Sequence, residues 1–133
     1  MKYTLSQSFT FEAAHTLKRS VPVDEYTASA RVHGHSYRAT VAITGQIGAA
    51  GMLQVRDPGK RIKFRNIDLF YLREAIERVR TRLDHQMLDD VPGLPAGTLE
   101  CLCKFIVDEI TLPIDWVSVE RPSTGDACRL VAE

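Results

Sequence analysis

Hydrophobic and polar positions along the chain follow two periods, and the switches between them mark out the elements. Residues 2–14 alternate: Tyr3, Leu5, Gln7, Phe9 and Phe11 share one side, with Thr4, Ser6, Ser8, Thr10 and Glu12 on the other. Period two is the signature of a strand with one face covered. Residues 31–44 form a second such stretch, in which Tyr37, Thr40, Val41 and Ile43 are β-branched or aromatic. Between them, residues 16–27 lose periodicity and hold Pro22, Asp24 and Glu25, which predicts a loop placed over a site. The glycine- and alanine-rich residues 45–51 predict a turn. Residues 52–55 and 61–65 then predict a shorter hairpin around Asp57-Pro58-Gly59-Lys60, whose proline and glycine suit a type II turn. Arg61, Lys63 and Arg65 are expected on one face of that hairpin, opposite Ile62 and Phe64. Such a face suits a phosphorylated ligand or, more simply, a solvated edge strand.

The period then changes. Asp68 is a good N-cap, and Leu69, Leu72, Ile76, Val79 and Leu83 step by three and four residues, the stripe of an amphipathic helix. That helix ends near residue 83 and delivers Asp84-His85 just beyond it. Residues 89–97 are a Pro- and Gly-rich loop, and Thr98 caps a second helix reaching about residue 110, where Pro113 forbids continuation. Residues 116–120 and 127–132 return to strand. The order is two strands, a small hairpin, two helices and two strands. This predicts one α+β domain over residues 1–133, with both helices on one face of an antiparallel sheet.

Composition narrows the class. A chain of 133 residues buries roughly 68% of its unfolded surface, so it folds without disulfides. Lys+Arg and Asp+Glu balance at 17 each, which argues against a general nucleic-acid or membrane-surface binder. Cys101, Cys103 and Cys128 are odd in number, and no export signal or apolar run of about 18 residues is seen. The expectation is a reduced, cytoplasmic protein. Cys101 and Cys103 lie within the second helix and read as small core residues.

Candidate chemistry centres on His33-Gly34-His35. On a helix two histidines two residues apart diverge by about 200°, but on a strand they share a face. Such a pair supplies two ligands of an open zinc site, which takes three protein ligands and leaves one position for water or substrate. The chain holds four histidines, and His15, at the end of the first strand, is the best third ligand. The bland alternative is a pair of surface histidines on a polar strand face.

Five spaced motifs decide between these readings. Phe11-Glu12-Ala13-Ala14-His15, His33-Gly34-His35, Leu83-Asp84-His85, Thr98-Leu99-Glu100 and Val117-Ser118-Val119-Glu120 together resemble the 6-pyruvoyltetrahydropterin and 6-carboxytetrahydropterin synthase family. The match covers nearly the whole chain in order. It implies a T-fold subunit, a four-stranded antiparallel sheet with two helices on its outer face, assembling as a homohexamer of two stacked trimers with sites between subunits. It implies zinc on His15, His33 and His35, and 7,8-dihydroneopterin triphosphate as substrate, with the 6-carboxy branch serving 7-deazaguanine and queuosine synthesis. It implies that Glu120 anchors the pterin edge, that Thr98 and Glu100 shape its pocket, and that His85 shuttles protons with Asp84 orienting it. Gly97 stands where the family usually has proline. Ser29 stands four residues before the first histidine of His-Gly-His, where the family has its cysteine general base. A hydroxyl does not ionise as a thiol does. So His85 carries the base role, or Ser29 assists weakly, or the reaction has changed to another pterin product or to pterin binding alone.

Overall fold

A computed structural model of the chain describes residues 1–17, 30–56 and 64–133. Strand β1 (Tyr3–His15) runs antiparallel to β2 (His33–Ile47) along its whole length, with His15 directly opposite His33 and Ala13 opposite His35. The tail of β2 pairs with β3 (Leu53–Arg56), which pairs with β4 (Phe64–Ile67). Helix α1 (Leu69–Leu83) follows, then a two-residue strand β5 (Gln86–Met87) that lies parallel to β1 at Ala13 and Ala14. After one 3₁₀ turn (Leu88–Asp90) come helix α2 (Leu99–Glu109), β6 (Trp116–Arg121) and β7 (Asp126–Val131). β6 inserts beside the middle of β2, from Arg38 to Ala42, and carries β7 on its far edge, so the main sheet reads β1-β2-β6-β7, all antiparallel.

Both caps act as their sequence suggests: Asp68 accepts from the Phe70 amide at 2.8 Å and Thr98 from the Cys101 amide at 3.3 Å. The apolar stripe of α1 buries Leu72, Ala75, Ile76, Val79 and Leu83, and α2 buries Leu99, Leu102, Cys103, Phe105 and Ile106. Both meet the odd-numbered side of the sheet, where Phe9, Phe11, Tyr37, Val41, Val117 and Val119 are buried. Burial of a large apolar side chain is worth about 1.5–3 kcal/mol, so this shared core fixes the phase of every strand crossing it. The other face is polar, with Ser8 bonded to Thr40 at 2.8 Å and Thr4 to Thr44 at 2.9 Å. Cys103 is buried and Cys101 partly so, as expected of core residues, and the three thiols are free. Among the described residues no helix is long and apolar enough to cross a membrane.

The small hairpin departs from expectation in its phase. Val55 lies opposite Arg65 and Leu53 opposite Ile67, so Arg65 shares the face of three buried aliphatics, while Phe64 is 55% exposed on the other face. The buried Leu53 and Val55 set the phase, and β4 follows them. The expected face of Arg61, Lys63 and Arg65 is therefore not an outward basic strip at Arg65. Arg61, Lys63, the turn at residues 57–60 and most of the loop at 16–27 lie outside the described residues.

Candidate metal centre

Period-two geometry brings three imidazoles together at one end of the helix-covered face. The register sets His15 against His33, and His35 projects to the same side two residues on. Ring centroids are 4.5 Å apart for His15 and His33, and 5.0 Å for each of the other two pairs. One nitrogen from each ring lies within 4.8 Å of the other two. The expected trio is thus one cluster.

The backbone chooses which nitrogens face inward. A carbonyl can only accept, so His15 Nδ1 donates to the Gly97 carbonyl at 2.8 Å and His33 Nδ1 donates to the Arg31 carbonyl at 2.8 Å. The lone pair of each ring is then on Nε2, the usual arrangement of a metal-binding histidine held by its other nitrogen. His15 is 1% exposed and its Nε2 is buried without a partner. Burial lowers the His15 pKa, with the His33 and Arg121 charges adding to the effect against the Gly97 bond. His35 is pushed down to about 4, first by burial and then by Arg121, His15 and His33. Three convergent imidazoles, with an orphaned buried Nε2 on His15 and burial disfavouring protonation of His15 and His35, fit a divalent cation such as zinc. Gly97 permits the seating: a Cβ there would fall 2.7 Å from His15 Nδ1 and 2.9 Å from its Cβ. Gly34 is less constrained, since a Cβ there would meet only the Ala13 carbonyl at an ordinary 3.5 Å.

Arg121 joins this centre and was absent from the sequence reading. The register that sets Arg38 against Glu120 brings Arg121 level with Tyr37. Its Nη1 approaches His35 Nε2 at 3.4 Å, and its Nη2 pairs with Asp126 at 3.2 Å. The Tyr37 ring stacks on Phe11 and meets His35 edge-on at 5.8 Å. Burial raises its hydroxyl to about 12, so it stays a donor. The available signal was the alternation Val117, Val119, Arg121, which places a charge on the buried face of β6.

Asp84 and His85 occupy the free edge of β1. Asp84 closes α1, and its Oδ1 accepts the Glu12 amide at 2.9 Å while Oδ2 meets Arg80 at 3.1 Å and His85 Nδ1 at 2.9 Å. The Glu12 amide first, then His85 and Arg80, hold its carboxyl below the ordinary range. His85 has φ +58°, the one non-glycine residue with positive φ among those described, and is anchored by its amide to the Glu12 carbonyl at 2.6 Å. A left-handed backbone costs roughly 1–2 kcal/mol in a non-glycine residue, and such strain collects at functional sites. A groove of about 560 Å³ runs past His85, Glu12, Ser36, Gly34, His35 and Ser123, so the His85 corner and the edge of the triad open onto one cavity. That volume lies within the range of small-molecule sites.

The remaining expected residues are placed apart. Glu120 lies on the opposite sheet face from the histidines, paired with Arg38 at 3.2 Å. Thr98 uses its hydroxyl on the α2 N-terminus, one residue after the carbonyl that holds His15, and Glu100 is exposed in the first turn. Ser29 lies outside the described residues.

Comparisons with known proteins bear on the family and the fold. The family model described as 6-pyruvoyl tetrahydropterin synthase matches residues 4–123. A protein from Archaeoglobus fulgidus, named provisionally as a 6-carboxy-5,6,7,8-tetrahydropterin synthase, is 28% identical over 103 residues, 77% of this chain and 71% of that protein. The solved structure of 6-pyruvoyl tetrahydropterin synthase from Caenorhabditis elegans superposes with a TM-score of 0.71 at 19% identity, covering 100% of this chain and 97% of that one. An uncharacterised protein from Wolinella succinogenes gives 0.68 at 13% identity, covering 100% and 99%. The expected T-fold architecture is therefore the observed one.

Proposed function

This chain belongs to the 6-pyruvoyl tetrahydropterin synthase family, and on that premise we propose that it is a zinc-dependent lyase acting on 7,8-dihydroneopterin triphosphate. The product we assign is 6-carboxy-5,6,7,8-tetrahydropterin, the branch that feeds 7-deazaguanine and queuosine synthesis and the one named for the Archaeoglobus relative. The observation that carries the reading is the triad itself: two imidazoles turned by backbone carbonyls, with a buried orphan Nε2 on His15.

In this reading His15, His33 and His35 hold the metal, which supplies Lewis acidity to an oxygen of the substrate side chain. His85 moves the proton. Asp84 ties up Nδ1 of that ring and leaves Nε2 free for the proton exchange. Ser29 supplies no thiolate at neutral pH, which leaves the base role with His85. Glu120 clasps the pterin's amino-pyrimidinone edge through two charge-assisted bonds, with Arg38 setting its orientation. Thr98 and Glu100 shape the pocket wall. The polar sheet face, bare of helices in one chain, is the surface through which trimers close and stack into a homohexamer, with sites shared between subunits; cytoplasmic placement accords with the free thiols.

Mass spectrometry after incubation with 7,8-dihydroneopterin triphosphate tests this. The expected product is the 6-carboxy compound, formed slowly, with Ser29→Cys raising the rate about tenfold or more. A 6-pyruvoyl product moves the chain to the other branch. Tight pterin binding with no product from either form makes it a binding protein.

A further inference from the structure

Three buried side-chain polar atoms among the described residues have no hydrogen-bond partner: His15 Nε2, Tyr37 Oη and Arg121 Nε. An unmet buried polar group is costly, so each one calls for a reason. Here all three fall in one corner, around His35. Arg121 touches the His35 ring at 3.4 Å and Tyr37 meets it edge-on at 5.8 Å. The three differ in what they need. A metal ion at the triad satisfies the lone pair of His15 Nε2. It does nothing for the other two, because a guanidinium N–H and a phenol O–H are donors and require an acceptor.

Charge points the same way. A divalent cation on the three imidazoles, with the Arg121 guanidinium beside them, gathers positive charge, which Asp126 offsets in part at 3.2 Å from the far Nη2. Two positive centres side by side in a partly buried corner are stabilised by an anion bridging them. With Nη1 on His35 and Nη2 on Asp126, the unpartnered Nε–H of Arg121 is the charged donor left for a carboxylate oxygen.

We propose that Arg121 and Tyr37 form a buried anion-binding station beside the histidine centre, which takes a carboxylate or similar oxyanion of a ligand that also reaches the metal. This rests on the metal-centre reading above and deepens it. A station for a carboxylate beside the metal suits a product bearing a carboxylate on the pterin carbon, and suits a neutral pyruvoyl side chain less well. Arg121 is then a ligand-contacting residue, and the side chain that separates the two product classes.

The test uses the full chain loaded with cobalt(II), whose visible bands report ligands at the metal, titrated with acetate as the probe. The unaltered protein is expected to bind one cobalt per chain and to shift its bands on adding acetate. Arg121→Met should keep the cobalt and weaken acetate binding about tenfold or more, and Tyr37→Phe should weaken it about threefold. Tyr37→Phe keeps the ring stacked on Phe11, so it serves if Arg121→Met fails to fold. Acetate affinities unchanged in both variants at full cobalt content would overturn the station and leave the metal centre standing. So would cobalt bands in the unaltered protein that do not respond to acetate. Failure of the unaltered protein to take up cobalt would remove the metal centre, and the station with it.

Discussion

His15 is 1% exposed and the His85 side chain 79% exposed, and the molecule holds the two rings by different means. His15 is fixed by a backbone carbonyl and packed against Gly97, and burial lowers its pKa. His85 stands out from the edge of β1 on a left-handed residue and leans on the Asp84 carboxylate. A carbonyl partner with burial favours a neutral ligand; a carboxylate partner with solvent access favours a ring that gains and loses protons. The comparison teaches that the partner of the second ring nitrogen separates the two roles.

The largest expected effect breaks the exposed side of this contrast. His85→Asn removes the imidazole but tolerates the positive φ better than most residues. Turnover should fall by about 10²–10⁴-fold with metal content unchanged. Steady-state rates alongside elemental analysis check this, and loss of metal would mean that His85 is a ligand.

Glu120→Gln comes next and asks whether binding is separable from both histidine roles. It swaps one acceptor oxygen for a donor, so pterin binding should weaken by roughly 2–4 kcal/mol. Calorimetry with a pterin ligand reads this; an unchanged affinity moves the anchor to Glu100.

The smallest effect sharpens the buried side. In metal-free protein the folded state holds His35 neutral down to about pH 4, whereas an unfolded histidine titrates near 6.5. The unfolded chain therefore takes up the proton first as pH falls. Stability should be full above about 6.5 and decline between there and about 4, with the lowered His15 acting in the same direction. Asp84 acts in a lower window: its stabilisation is present above the ordinary carboxylate range and is lost as pH falls through its depressed folded value. Denaturant midpoints of chelator-treated protein against pH measure this, and a flat profile from 7 to 4 contradicts it.

Much of this was legible because alternation and caps are local. Phe9 and Phe11 gave the buried face of β1, the stripe from Leu69 to Leu83 gave α1, and Asp68 and Thr98 gave both helix starts. His33 and His35 declared a shared face as soon as their segment read as a strand. What stayed hidden depends on partners distant in sequence. The phase of β4 is set by Leu53 and Val55, so Arg65 turned to the side its own segment suggested for apolar residues. β2 runs on to Ile47 because its tail recruits β3, with Gly45 admitting the Gln54 carbonyl where a Cβ would clash at 2.1 Å. Arg121 enters the centre only through the register of β6 on β2.

Metal stoichiometry tests the central claim most directly. Elemental analysis of the unaltered protein, His33→Ala and His85→Asn should give about one zinc per chain, near zero, and about one. A full complement of metal in His33→Ala, or its loss in His85→Asn, would contradict the division of labour between the buried and the exposed histidines.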